Sequence, residues 1–272
     1  PEWKQMGSDI DGEAAGDHSG LKITLSADGT IVAIGAPYNT SSSGHVRVYD
    51  YIKDRNPEWK QLGSDIDSEG SGDRNGWSVS LSDDGTILAI GAYANDDNGP
   101  HTGHVRVYDY VKDRNPEWKQ MGSDIDGEYI YDHGGWSISL SADGTVLAIG
   151  AIYNHDINSG HVRVYQYVSG LYASNWIQVG YDIDGEAAND YMGSSVSLSA
   201  DGTILAIGAE GDDASGNDSG RVYIYELIKQ PITSIAKMGS PISGEAAGDY
   251  SGWSVSSNAD GSIVAIGAYM NI

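Results

Sequence analysis

The side chains best placed to do chemistry in this sequence are carboxylates that recur as Asp-x-Asp-x-Glu-x-x-x-Asp. The first copy is Asp9, Asp11, Glu13 and Asp17, and the second is Asp65, Asp67, Glu69 and Asp73. The third is Asp124, Asp126, Glu128 and Asp132, and the fourth is Asp182, Asp184, Glu186 and Asp190. Aspartates at i and i+2 of an extended chain point to the same side. Joined by the Glu and the last Asp they would make an oxygen-rich site for a hard cation such as calcium, which takes about six to eight oxygen ligands. A structural reading competes: Asp caps the N–H groups of a turn, while the Glu and final Asp brace the connection through side chain to backbone hydrogen bonds. The fifth copy, Ser240-Pro-Ile-Ser243-Gly-Glu245-Ala-Ala-Gly-Asp249, loses both leading aspartates and keeps the Glu and last Asp, which favours the brace.

Other chemistry is thinly represented. The chain has no Cys, so disulfides, thiolate metal sites and Cys nucleophiles are out. No nucleophile elbow, His-Glu-x-x-His pair or phosphate loop occurs, and no two carboxylates stand apart as a glycosidase pair. His45, His104 and His161 follow a Gly at one repeated position where the fourth repeat has Arg221, and that exchange points to structure rather than to a metal. Trp3, Trp59, Trp118 and Trp176, with Trp77, Trp136 and Trp253, recur in step with the repeats and are expected to pack between sheets. The segments after each Ile-Gly-Ala run vary in length and content while their surroundings barely change. Variable loops on a rigid scaffold are where recognition resides, and they offer Tyr38, Tyr93, His101, Tyr153, His155, Asp212 and Asp213 as ligand contacts. Asn39-Thr-Ser41 and Asn217-Asp-Ser219 match the glycosylation pattern, at a frequency near chance for so Asn- and Ser-rich a chain.

These residues must be held by elements, and the elements repeat. The Asp-Gly pairs at 28, 84, 143, 201 and 260 recur with a period of about 58 residues, the size of one four-stranded propeller blade. In the second copy, Gly76-Trp77-Ser-Val-Ser-Leu81 alternates with period two and predicts a first strand. Asp84-Gly85-Thr86 predicts a tight turn, and Ile87 to Ala92 a second strand buried on both faces. Gly103 to Tyr110 predicts a third strand and Pro116 to Met121 a fourth. No helical period of useful length appears, so the fold class is all-β, a propeller of four-stranded antiparallel blades. Five first strands predict five blades, with the N-terminal strand around Trp3 closing the last one. The expected division is a single domain over 1–272, with repeats at about 1–56, 57–115, 116–174, 175–234 and 235–272.

Composition agrees with this and limits the partners. Of 272 residues, 37 are Gly and none is Phe, and 39% are hydrophobic, which suits many turns around a real core. No apolar run approaches the ~18–20 residues of a membrane helix, so membrane insertion is not expected. The net charge of −24 repels nucleic acid and anionic lipid. In a four-stranded blade the 2–3 loops and the blade-to-blade 4–1 connections share a face. On this strand assignment that face, whose only base is Arg74, carries the whole net charge. Pro1 is not an initiator, which predicts a processed form or part of a longer chain.

At Trp77-Ser-Val-Ser-Leu-Ser, Asp84-Gly85, Ile90-Gly-Ala92 and Val105-Arg-Val-Tyr108, the chain resembles FG-GAP repeats, the blades of integrin α-subunit propellers and related extracellular proteins. The Phe-Gly of that family becomes Gly-Trp in three copies, and Gly20-Leu21 and Gly193-Ser194 in the others. The resemblance implies an extracellular or cell-surface location and a non-catalytic binding or adhesion module, recognising a protein or glycan. The alternative is a cation-bridged structural or surface-layer block without a discrete ligand. FG-GAP blades often carry a calcium loop between strands one and two, but here that place holds only Ser-Ala-Asp-Gly-Thr or a near copy. The acidic 4–1 connections are thus the only place left for calcium.

Overall fold

The computed structural model describes residues 2–153, 157–170, 174–228 and 231–270. Four sheets have the same plan. The first is β1 (Lys22–Leu25), β2 (Ile31–Ala36), β3 (His45–Ile52) and β4 (Glu58–Gln61), with the short β5 (Ile66–Asp67) also on β3. The second repeats it with β6 (Ser78–Leu81), β7 (Ile87–Ala92), β8 (His104–Val111), β9 (Glu117–Gln120) and β10 (Ile125–Asp126). The third comprises β11 (Ser137–Leu140), β12 (Val146–Ala151), β13 (His161–Val168), β14 (Asn175–Gln178) and β15 (Ile183–Asp184). The fourth has β16 (Met192–Leu198), β17 (Ile204–Ala209), β18 (Arg221–Ile228), β19 (Ser234–Lys237) and β20 (Ile242–Ser243). The fifth sheet is β21 (Ser251–Ser257) paired with β22 (Val264–Ala268). All pairings within the sheets are antiparallel, as hairpins closed by Asp-Gly turns require. The result is the expected all-β propeller with five blades.

The repeated motifs mark where blades touch. A Cβ added to Gly91, in the Ile-Gly-Ala run of β7, would lie 2.3 Å from the Gly135 carbonyl of the next blade. At Gly150 the same construction meets Gly193 O at 2.2 Å, and at Gly208 it meets Gly252 O at 2.0 Å. Only glycine allows that approach. Serines of the inner strands then fasten the blades: Ser78, Ser137 and Ser195 Oγ donate to the carbonyls of Gly135, Gly193 and Gly252 at 2.6, 2.7 and 2.8 Å. Trp59, Trp118 and Trp176 donate their indole N–H to Met6, Leu62 and Met121 O of the preceding repeat at 2.9, 2.9 and 3.0 Å. The expectation that the fourth-strand tryptophans pack between neighbouring repeats therefore holds for Trp59, Trp118 and Trp176, where a polar bond accompanies the packing, and fails for the exposed Trp3. Between these fasteners lie clusters that span neighbouring blades, such as Ala89, Val105 and Val107 with Ile138, Leu147 and Ile149.

The N-terminal segment departs from expectation. Residues 2–21 form no strand and Trp3 is fully exposed, so the segment does not complete the fifth blade. In every other sheet the fourth strand hydrogen-bonds the third. Among the described residues the fifth sheet holds no third strand, so a fourth has no ladder to join. The turn-to-turn ladder Ala27 N–H to Asp83 O, Asp83 to Ala142, Ala142 to Ala200 and Ala200 to Ala259 runs across all five blades. Among the described residues no bond returns it from Ala259 to Ala27.

Candidate functional site

The 2–3 loops and 4–1 connections do share one face, because backbone bonds tie them together. Tyr38 N–H donates to Asp17 O, Ala94 to Asp73, Tyr153 to Asp132 and Gly211 to Asp190. On that face each position of the acidic motif has a repeated partner. The last Asp is buried in every copy and caps a turn. Asp17 accepts Ala14 N–H at 2.9 Å, Asp73 accepts Gly70 at 2.9 Å, Asp132 accepts Tyr129 at 2.7 Å, Asp190 accepts Ala187 at 2.7 Å and Asp249 accepts Ala246 at 2.8 Å. The first Asp accepts a glutamine amide: Asp9 from Gln5, Asp65 from Gln61, Asp124 from Gln120 and Asp182 from Gln178. The second Asp lies in a short strand against the third strand, Asp67 opposite His45, Asp126 opposite His104 and Asp184 opposite His161. The Glu faces the third-strand arginine of its own blade, Glu13 with Arg47, Glu69 with Arg106, Glu128 with Arg163 and Glu186 with Arg221.

Two clusters have donor atoms within 4.8 Å of one another, Glu13, His45 and Asp65, and His104, Asp124 and Asp126. In the second, Arg106 already donates to both oxygens of Asp124 and to Glu69. Burial works against the Arg106 charge, but these carboxylates outweigh it and push its pKa up. Burial likewise raises Asp124, and the bonds from Arg106 and Gln120 more than offset it, leaving its pKa lowered. A divalent cation there would have to displace a guanidinium. The turn between the first and second strands, where FG-GAP repeats often carry calcium, fits the ion no better. Asp28, the one carboxylate of its turn, accepts Thr30 N–H, Thr30 Oγ1 and Ser26 Oγ at 2.8–2.9 Å. Those bonds, the Thr30 backbone first, hold its pKa down. The carboxylate is committed to the turn, and a single one cannot satisfy calcium.

What the face does present is aromatic. Tyr93 packs on Trp77 at 4.7 Å between centroids and on His133 at 5.1 Å, and His133 meets Tyr153 edge-on at 4.8 Å. Tyr153 continues to Tyr191 at 5.9 Å, and His101 stacks on Tyr131 at 5.9 Å and 21°. Tyr38 lies under the Arg74 guanidinium at 4.2 Å and beside His18. Of the sequence-predicted contacts, Tyr38, Tyr93, His101 and Tyr153 thus share one aromatic crown. Asp213 is exposed on its loop, accepting Asp218 N–H. Asp212 points inward: it is buried, takes the Tyr223 hydroxyl at 2.9 Å and pairs with Arg221 at 3.2 Å. His155 lies outside the described residues.

A cleft of about 320 Å³ opens in the crown, lined by Ile130, Tyr131, His133, Tyr153, Asn158 and Tyr191. Burial, with the nearby His101 charge, pushes the His133 pKa down to about 4, so its ring is neutral at pH 7. Tyr129, Ile130 and Tyr131 are about half exposed and were not among the sequence-predicted contacts. A signal existed: the third connection reads Glu-Tyr-Ile-Tyr-Asp where the first reads Glu-Ala-Ala-Gly-Asp.

Known proteins place this architecture. The FG-GAP repeat family matches residues 66–108 and 183–225. No curated protein matches the sequence. Among solved structures, a putative 6-phosphogluconolactonase from Bacteroides uniformis is 13% identical with a TM-score of 0.51, covering 91% of this chain and 77% of its own. Sqt1 from Chaetomium thermophilum is 16% identical with a TM-score of 0.56, covering 93% of this chain and 56% of its own. At these identities the likeness is one of fold. No helix among the described residues is long and apolar enough to cross a membrane.

Proposed function

We propose that this β-propeller of FG-GAP repeats is a non-catalytic extracellular binding module that holds a carbohydrate in the aromatic cleft of its loop-bearing face. The carrying observation is the cleft itself: Tyr131, Tyr153 and Tyr191 with neutral His133 and the Asn158 amide, in a volume of about 320 Å³. Sugar rings stack their C–H faces on aromatic rings and hydrogen-bond their hydroxyls to amides and imidazoles, and such a mix of apolar walls with a few polar groups is what small-ligand sites share. The surrounding acids disfavour nucleic acid and other polyanions. FG-GAP repeats support the binding role and the extracellular setting. The lactonase likeness transfers no activity at 13% identity. The cation-bridged building block is less favoured, because the repeated acids already have arginine, glutamine and backbone partners.

A glycan array probed with the labelled chain and with Tyr131→Ala tests the reading. The expected result is binding to a defined glycan set by the native chain, lost in the variant at unchanged melting temperature. Binding to no glycan, or equal binding by both proteins, would refute it and redirect the search to a protein partner.

A further inference from the structure

Residues at the inner strands of all five blades line a second, open cavity of about 310 Å³ near the propeller axis, whose chemistry is set by where the fourth blade breaks the repeat. At the head of the inner strand three blades carry tryptophan: Trp77, Trp136 and Trp253 all line this cavity. Trp77 and Trp136 lie 4.8 Å apart, and Trp253 packs on Tyr269 at 4.5 Å. The fourth blade has Ser194 in place of the tryptophan and Glu210 directly after its Ile-Gly-Ala run, where the second and fifth blades have Tyr93 and Tyr269 and the first and third have Pro37 and Ile152. Both changes face the same space, since Ser194 and Glu210 also line it. The small Ser194 takes less of the space than a tryptophan, and Glu210 adds a carboxyl-bearing residue to the lining.

No ion pair joins Glu210 to a base among the described residues. The charge acting on it is the Asp218 carboxylate, and burial together with that charge pushes its pKa up to about 7. The other titratable groups around it are the Tyr191 and Tyr250 hydroxyls, on which Glu210 itself acts. Lys22 lines the cavity from the first blade but does not figure among the groups acting on Glu210. A carboxylate with no ion pair among the described residues, in a cavity also lined by three indoles, is the environment that recognises a weakly hydrated organic cation, because the ring quadrupoles and the anion attract it together.

We infer that the axial cavity is a binding site for an alkylated ammonium group, with Glu210 as counter-ion and Trp77, Trp136 and Trp253 as its aromatic walls. The cavity shares no lining residue with the adjoining carbohydrate cleft, and the inference does not rest on that reading. The group can arrive as a free small molecule or on a methylated lysine side chain of a partner, which present the same cation. A metal ion or bare ammonium fits less well, since hydration competes with the indoles.

Tryptophan fluorescence and calorimetry with choline, tetramethylammonium and the neutral isostere 3,3-dimethylbutan-1-ol test the inference, at constant ionic strength. The expected result is saturable binding of both cations at pH 8, with the isostere at least ~10-fold weaker. Glu210→Gln should lose about the same factor while melting at the native temperature. Ser194→Trp, which restores the repeat, should fill the site and abolish binding whether or not the first variant folds. Affinity should fall as pH drops through about 7 toward 5.5, because the protonated carboxyl no longer pairs with the cation. A trimethyllysine peptide binding more tightly than choline would identify a partner side chain as the source, and the reverse a free molecule. Equal affinity for the isostere, undiminished binding in folded Glu210→Gln or in Ser194→Trp, or no cation binding by the native chain would overturn it.

Discussion

Replacing Asp132 by alanine separates the brace from a metal ligand. Asp132 is 0% exposed, and its carboxylate accepts N–H bonds from Glu128 at 3.2 Å and Tyr129 at 2.7 Å. Hydrogen bonds to a charged acceptor contribute roughly 1.5–3 kcal/mol each, so losing both costs about 3–6 kcal/mol. At about 2–4 °C per kcal/mol for a chain of this size, the melting temperature should fall by about 10 °C. Asp9→Ala removes an exposed carboxylate whose partner is the Gln5 amide, and should cost less than about 1 kcal/mol. The assay is thermal melting of the native chain and both variants, each in calcium and in chelator. A cation bound only by the folded state would raise the melting temperature by mass action. Here the two conditions should coincide for every protein. An Asp132→Ala loss under about 1 kcal/mol, or one seen only in calcium, would refute the brace.

Three further outcomes follow from the contacts between blades and from buried histidines. Gly150→Ala would place a methyl group 2.2 Å from Gly193 O, and should destabilise by about 3 kcal/mol in denaturant unfolding, whereas Gly29→Ala meets nothing within 4 Å and pays only for its positive φ. Trp118→Phe keeps a ring on Tyr110 but removes the 2.9 Å bond to Leu62 O, which should cost about 1–2 kcal/mol by calorimetry. His161 is buried, and desolvation with the Arg163 charge pushes its pKa down to about 4. The unfolded chain binds that proton first, so this stability is complete above about pH 6.5 and is lost as pH falls toward 4. In a series of melts between pH 7 and 4, His161→Gln should lessen the acid loss.

Sequence pattern made most of the scaffold legible because period-two alternation and Asp-Gly turns are local signals. Strands predicted at Ile87 to Ala92 and Gly103 to Tyr110 appear as Ile87–Ala92 and His104–Val111. The short strand at Ile125–Asp126 escaped notice, since one buried Ile between aspartates has no pattern of its own and is fixed only by pairing with Val105 and His104. The N-terminal segment carries a fourth-strand sequence, which local pattern reads as a strand, but the described residues of the fifth sheet give it no third strand to pair with. At the candidate cleft, Tyr153 was legible as a loop residue, but its meeting with Tyr191 and His133 depends on how two connections fold over one another. Asp212 looked like a surface acid and turned out to be an internal acceptor of Tyr223, because the loop's charge pattern does not say which carboxylate turns inward.

The most direct measurement for the binding role is calorimetric titration of the strongest array glycan into the native chain and into Tyr131→Ala, at low salt and at ~0.5 M salt. Stacking and neutral hydrogen bonds predict a saturable, one-to-one isotherm that survives the salt and disappears in the variant. A heat that vanishes at high salt, or one that Tyr131→Ala leaves intact, would contradict a carbohydrate site in this cleft.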